Sequence, residues 1–233
     1  MSLMPIYSPV ATPYVTVYSG DFNGSNGYLS KVMGSGGNLT VWTMSAFIKP
    51  DTVGVRRAVG GAGDDNTNFN YLEFEASNIL SVQGEGTGPA MSKRSSATFT
   101  DTTNWQHVLV SRNGTDVDVY YNGSEVTSWT TDTDPGSANG EITSAVLHVW
   151  GVESHAVVSQ YWPGLMCELA LIDGQALTPS SFATDNLPID LSGLTFGTVG
   201  HWIKDPSTGV DSSGNGLDFT KSGTIAQSTD VPT

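Results

Sequence analysis

The stretch Gly164–Ala183, GLMCELALIDGQALTPSSFA, decides how this chain is read. Leu165, Cys167, Leu169 and Leu171 recur at every second position, which places them on one face of a β-strand. Asp173-Gly174 then supplies a turn. Thr178-Pro179 reads as a helix start, with Thr at the N-cap and Pro at the first helical position. A strand that hands over through a turn to one short helix near 178–184 is the unit around which the remaining segments must fit.

Working outward, the same period of two recurs along the chain. YVTVY (14–18) alternates as a strand, and GDFNGSNG (20–27) is turn-rich. In VWTMSAFIKP (41–50), Trp42, Met44, Ala46 and Ile48 share a face, with Val41 and Phe47 on the other. Apolar groups on both faces predict a central strand of a packed sheet. GGAGDDNTNFN (60–70) reads as a loop. YLEFEAS (71–77) alternates again, with Glu73 and Glu75 beside Tyr71 on a solvated face. NWQHVLVSRNG, TDVDVYYNG and SEVTSW are three strands joined at Asn113-Gly114 and Asn122-Gly123. Asn-Gly favours the type I′ turn, which needs positive φ at both central residues, so this is an antiparallel meander. Trp105 opens it and is expected to be buried against the opposite sheet. AVLHVWGV (145–152) is a further strand. No helical period persists beyond one turn. The fold expected is all-β, an antiparallel two-sheet β-sandwich with one short helix near 178–184.

Composition agrees. The chain has 233 residues, 27 of them Gly, and only 14% are charged, which suits short strands joined by many turns. Nine basic residues against 23 acidic ones give a formal charge of −14. Such a surface repels phosphate and argues against nucleic acid as a partner. The single cysteine, Cys167, excludes an internal disulfide and reads as a buried thiol. MSLMPIYSPV lacks a basic region followed by an apolar run, so no signal peptide is expected. No segment approaches the ~18 apolar residues of a membrane span, so no membrane insertion is expected. Pro5, Pro9 and Pro13 keep residues 1–13 extended. With Met4, Ile6, Tyr7 and Val10 as apolar contacts, these residues are expected to form an assembly arm that docks on neighbouring subunits.

Three stretches in this order carry a resemblance: FNGSNGYLSKV with WTMSAFIKP, then NWQHVLVSRNGTDVDVYYNGSEV, then GLMCELALIDGQALTPSSF. Together they resemble the laminin-G-like branch of the concanavalin A-like lectin/glucanase superfamily, a jelly roll. Trp105, His107, Val108, Tyr121, Asn122 and Gly123 match its W-x-H-V strand and Y-x-N-G turn. Within it, ELALIDGQALTPSSF, DSSGNGLDFT (211–220) and the final DVPT are similar to virion structural proteins of tailed phages, many of them marine. That resemblance, with the proline-rich start, implies three regions. Residues 1–19 would be an N-terminal arm and first strand, 20–184 the jelly-roll core, and 185–233 a C-terminal segment adding strands to the same sandwich. It also implies a non-enzymatic structural protein on the outer surface of a virion, made in the host cytoplasm, with virion proteins and its own copies as partners. A head (capsid) decoration protein that also binds glycan fits best. A tail or fibre adhesin for host surface glycans is the alternative, and a glycan hydrolase the second alternative.

The residues bear on these functions unequally. Glucanases of this fold place carboxylates at alternate positions of one strand, about 5–5.5 Å apart when retaining. Neither Glu73/Glu75 nor Glu168/Asp173 completes that pattern, so no catalytic residue is expected. The four histidines share no metal-ligand spacing. Calcium is the one cofactor left open, through Asp64, Asp65, Asn66 and Asn68, because hard oxygen ligands are what that ion requires. Host glycan would be met by aromatic faces near strand ends, and Trp129, Trp150, Tyr161 and Trp162 are the candidates.

Overall fold

Alternation in the sequence becomes two antiparallel sheets. The computed structural model describes residues 14–65, 67–85, 91–153 and 159–233. The arm residues Met4, Ile6, Tyr7 and Val10, and Asn66 of the calcium set, lie outside the described residues. In chain order the strands begin with β1 (Ser19–Asn23), β2 (Tyr28–Val32), β3 (Val41–Pro50), β4 (Arg57–Gly63), β5 (Phe69–Phe74) and β6 (Ile79–Glu85). There follow β7 (Met91–Thr98), β8 (Gln106–Asn113), β9 (Asp116–Tyr121), β10 (Ser124–Glu125), β11 (Trp129–Thr133) and β12 (Leu147–Trp150). The last six are β13 (Pro163–Asp173), β14 (Ala183–Thr184), β15 (Leu187–Pro188), β16 (His201–Ile203), β17 (Thr220–Ser222) and β18 (Ile225–Ser228). One sheet runs β10-β9-β8-β3-β13-β1-β18, with β16 also paired to β13; the other runs β11-β7-β6-β5-β4-β12-β2-β17. The short helix is a single 3-10 turn, Pro179–Ser181, whose N-cap Thr178 makes no side-chain cap bond. No helix among the described residues is long and apolar enough to cross a membrane.

β3 lies between β8 and β13 and feeds two cores. Trp42, Met44, Ala46 and Ile48 join the main cluster between the sheets. Phe47, on the other face, stacks on His107 with ring centroids 4.5 Å apart. A second, smaller cluster covers the outer face of this sheet, where Phe182, Leu191, Phe196 and Trp202 pack on Leu109, Ala170 and Ile172. Each such side chain contributes about 1.5–3 kcal/mol when fully withdrawn from water.

β13 departs from the simple period. Its register with β3 shifts between Cys167 and Ala170, and Glu168 takes φ 51°. This is a β-bulge, which inserts one residue and exchanges the two faces of the strand. Met166 therefore faces the main core before the bulge, and Leu169 and Leu171 face it after. The single face expected for Leu165, Cys167, Leu169 and Leu171 is corrected accordingly. Glu168 itself is 3% exposed. Its carboxylate accepts bonds from Tyr14 Oη (2.7 Å), Thr16 Oγ1 (2.9 Å) and Trp202 Nε1 (2.7 Å). Burial pushes this carboxyl up, while those three donors pull it back down.

Two local assignments are corrected with it. YVTVY joins no ladder among the described residues. Tyr14 and Thr16 turn inward to Glu168, leaving Val15 and Val17 67% and 60% exposed. The glycine run at 60–63 is strand, not loop, because β4 is squeezed between neighbours. A Cβ on Gly60 would meet Val149 O at 2.6 Å, and one on Gly61 would collide with Asn70 O. Among the described residues, the loop is confined to 64–65 and 67–68.

Three histidines sit neutral inside this frame. His201 Nδ1 donates to Val199 O (3.1 Å), and its Nε2 accepts from Trp150 Nε1 (2.9 Å), which fixes the tautomer. His148 Nε2 bonds Ser144 O and His107 Nε2 bonds Ser45 Oγ. Burial lowers them from 6.5 to about 3, 4 and 4 respectively, helped at His201 by His148.

Two predictions follow from the bulge and the histidines. Glu168→Gly relieves the left-handed backbone yet strips the acceptor from three donors. It should cost on the order of 3 kcal/mol in urea unfolding and admit chymotrypsin at Tyr14 and Tyr18. For the histidines, the unfolded chain binds protons first as pH falls below 6.5. The stability they confer is therefore complete above pH 6.5 and is lost toward pH 4. The raised carboxyls of Glu73 and Glu168 work in the opposite sense. A comparison with His107→Gln isolates one group: between pH 6 and 4.5 the variant's stability should fall by about 1.4 kcal/mol less per pH unit than the parent's.

Candidate functional site

Two interior voids lined by described residues, one beside His148 and His201 and one beside Trp42 and Val82, measure about 10 Å³ each, roughly the size of one water. Neither has room for a sugar, and the grooves of the outer surface are larger.

The aromatic residues expected to line a rim divide. Trp150 and Trp162 are 2% and 0% exposed and belong to the main core, so neither presents a face to a sugar. The alternation of β12 turns Trp150 inward onto His201, and Trp162 plugs the core beside Phe74, ring centroids 6.1 Å apart. Tyr161 is half-buried against Tyr28. Trp129 is half-buried in a groove of about 340 Å³ between β9 and the edge strand β11 of the other sheet. That groove is carboxylate-rich, and Lys93 is drawn over the Trp129 ring at 5.4 Å by Asp132 (2.6 Å) and Asp134 (3.0 Å).

The carboxylates also differ from expectation. Glu73 is fully buried rather than solvated, because the outer face of β5 is covered. Arg56 grips it through Nε (2.6 Å) and Nη2 (2.9 Å) and reaches Tyr71 Oη and Glu153 as well. Burial raises the Glu73 carboxyl against the pull of Arg56. Glu75 pairs with Arg94 at 2.7 Å. Asp173, at the end of β13, accepts from the backbone N–H groups of Asn38 (2.6 Å), Thr198 (2.7 Å) and Val199 (3.3 Å). In the calcium set, Asp65 spends its carboxylate on Thr67 and Asn68 within its own loop. No three His, Cys, Asp or Glu side chains converge among the described residues.

The most suitable site lies where the sequence had placed core. Trp105 precedes β8 and is half-buried, not packed against the opposite sheet. Along β8, Val108 and Val110 take the inward positions, so Trp105, His107 and Leu109 share the outer face. There Trp105 lines a polar groove of about 270 Å³ with Thr103, Asn104, Lys49, Asp185, Asn186 and the final residues 230–233. Each wall has its own support. Asp101 accepts from Asn104 and Thr103, bonds that shape the turn and hold its carboxyl below the usual range. Asp185 and Asn186, both left-handed at φ 52° and 61°, form the tight turn between β14 and β15. Asp230 accepts from Trp105 Nε1 (2.9 Å) and Lys49 Nζ (2.7 Å). Its partial burial is outweighed by those two partners, which hold its carboxyl low. The side chains of Asp185 and Asn186 are exposed and make no hydrogen bond among the described residues. An aromatic ring, an uncommitted carboxylate and an uncommitted amide thus face one open groove. The legible signal for it was the Asp185-Asn186 turn, which the hydrophobic pattern alone does not single out.

Comparison with known proteins bears on the frame. A laminin G-type family model, described as the concanavalin A-like lectin/glucanases superfamily, matches residues 16–182. A candidate carbohydrate-binding protein of Bacteroides ovatus superposes with a TM-score of 0.68 at 17% identity, covering 93% of this chain; the chain spans 61% of that protein's length. The mouse laminin α1 domains LG4-5 give a TM-score of 0.54 at 13% identity, over 69% of this chain and 44% of that one. The heptameric pentraxin of Limulus polyphemus gives 0.51 at 18% identity, over 70% and 78%. No curated protein matches the sequence. The matched span, the two antiparallel sheets and the strand-turn-helix unit that closes them agree, and the chain belongs to the concanavalin A-like lectin/glucanases superfamily, in its laminin G-like form.

Proposed function

We propose that this protein is a non-enzymatic structural protein on the outer surface of a tailed-phage virion, of the head-decoration type, and that it binds glycan through the Trp105 groove. The groove carries the binding part of this reading: it is an open surface where an indole, a free carboxylate and a free amide meet. The virion part rests on the sequence resemblance of IDGQALTPSSF, DSSGNGLDFT and DVPT. The geometry gives those motifs a physical sense. Each supplies an aspartate that ties separate parts of the chain: Asp173 as above, Asp211 to the backbone N–H groups of Trp202, Ser213 and Leu217, and Asp230 to the side chains of Trp105 and Lys49. Burial of Glu73, Glu168 and Asp173 at 0%, 3% and 6% exposure supports a binding role over hydrolysis, since a general acid must reach its substrate. Binding is proposed to need no metal.

The same groove favours a second reading, a tail or fibre adhesin for host surface glycan. Antibody-gold labelling of intact particles separates the two. The decoration reading expects gold over the heads, and label confined to tail tips replaces it with the adhesin. The purified protein should release no reducing ends from host polysaccharide, and its glycan binding should be unchanged by EDTA. Hydrolysis abolished by Glu73→Gln would instead make it an enzyme.

A further inference from the structure

Resting on the glycan-binding reading above, we infer that the ligand of the Trp105 groove is a neutral sugar chain and not an acidic one. Sialate, uronate, sulfate or phosphate groups need a cation or a cluster of free N–H donors to replace their water. All nine basic residues of the chain fall within the described stretches, and each is already engaged. Arg56, Lys93 and Arg94 are held by carboxylates on the other sheet. Arg57 and Arg112, each 1% exposed, donate to backbone carbonyls inside the protein. Lys31 and Lys221 donate to the carbonyls of Asp218 and Ser207, and Lys204 lies 4.0 Å from the centre of the Trp202 ring.

That leaves Lys49 as the basic residue of the groove, and Asp230 neutralises it at 2.7 Å. The uncommitted charge facing the groove is the Asp185 carboxylate. An anionic sugar would meet repulsion there and again in the field of a −14 protein. A neutral pyranose meets the reverse. Its hydroxyls can donate to Asp185 and both donate to and accept from the Asn186 amide. Its C–H face can cover the indole, an apolar surface already fixed in place by the Nε1 bond to Asp230.

The test is a glycan array printed with matched pairs, each neutral chain beside its sulfated, sialylated or uronate counterpart, probed with the full chain at 50 and 500 mM salt. Variants Trp105→Ala and Asn186→Gly accompany it. The glycine keeps the left-handed turn and removes only the amide, guarding against a Trp105 variant that fails to fold. Neutral chains should be bound and their acidic counterparts refused. Raising the salt should leave binding unchanged, and either variant should weaken it by about tenfold or more. Preference for the acidic member, weakening with salt but still lost in the variants, overturns the neutral-ligand inference and leaves the site standing. Neutral binding indifferent to both variants overturns the site. No binding to any chain overturns the glycan reading itself.

Discussion

The structure depends on how one strand disposes of two carboxylates. β13 is the longest strand and has β1, β3 and β16 as partners. Its sequence puts an acid in the middle, Glu168, and one at the end, Asp173, inside an otherwise apolar run. A buried carboxylate survives only if donors surround it. Glu168 gathers three side-chain donors, two from the segment before β1 and one from β16. Asp173 gathers three backbone donors, from the loops around residue 38 and residues 198–199. Those loops approach so closely that a Cβ on Gly37 would strike the Asp173 carboxylate. The requirement to satisfy two carboxylates thus brings the segment before β1, the loop around residue 38 and the stretch 198–202 onto the central strand.

The bulge at Glu168 makes this compatible with packing. Without the extra residue, an acid at that position would face the main core or push the leucines out of it. With it, Glu168 is turned outward into the second cluster, while Met166 on one side and Leu169 and Leu171 on the other keep the inter-sheet core continuous. The positive φ at a non-glycine residue is an unfavourable backbone state, and the three hydrogen bonds to the carboxylate hold it there. Strain and satisfaction occur at the same residue.

Much of this was legible in the sequence, and the remainder was hidden for identifiable reasons. Period-two alternation located β3, β8 and β9, and the Asn122-Gly123 turn has the left-handed geometry its composition demands, φ 49° and 76°. The sandwich and its closing helical turn followed from the same signals. What alternation cannot supply is which face of a strand is covered when both are apolar, and it placed Trp105 inside for that reason. It also cannot see a partner distant in sequence. Glu73 looked solvated because Arg56, which grips it, and Glu153, which shares that guanidinium, lie 17 and 80 positions away along the chain. Nor does a glycine run announce a squeezed strand rather than a loop, since both need the small residue and only the neighbours differ. The candidate groove was hidden for a further reason. Its three walls come from residues near 105, 186 and 230, and no local pattern unites them.

Polar economy also explains where function can reside. A chain with few charges and a deficit of cations has ordered its framework by assigning those cations to carboxylates, carbonyls and aromatic rings. The large aromatics follow the same logic: Trp42, Trp150, Trp162 and Trp202 are consumed by the two cores. Trp105 and Trp129 are half-buried and sit in open grooves on the rim. At Trp129 the surrounding acids have captured Lys93 for themselves. At Trp105 the single cation has been captured by Asp230, and the turn that faces the indole keeps its carboxylate and amide uncommitted. A recognition surface needs groups whose hydrogen bonds are still to be made. On this molecule the Trp105 groove combines such groups with an exposed part of an aromatic ring.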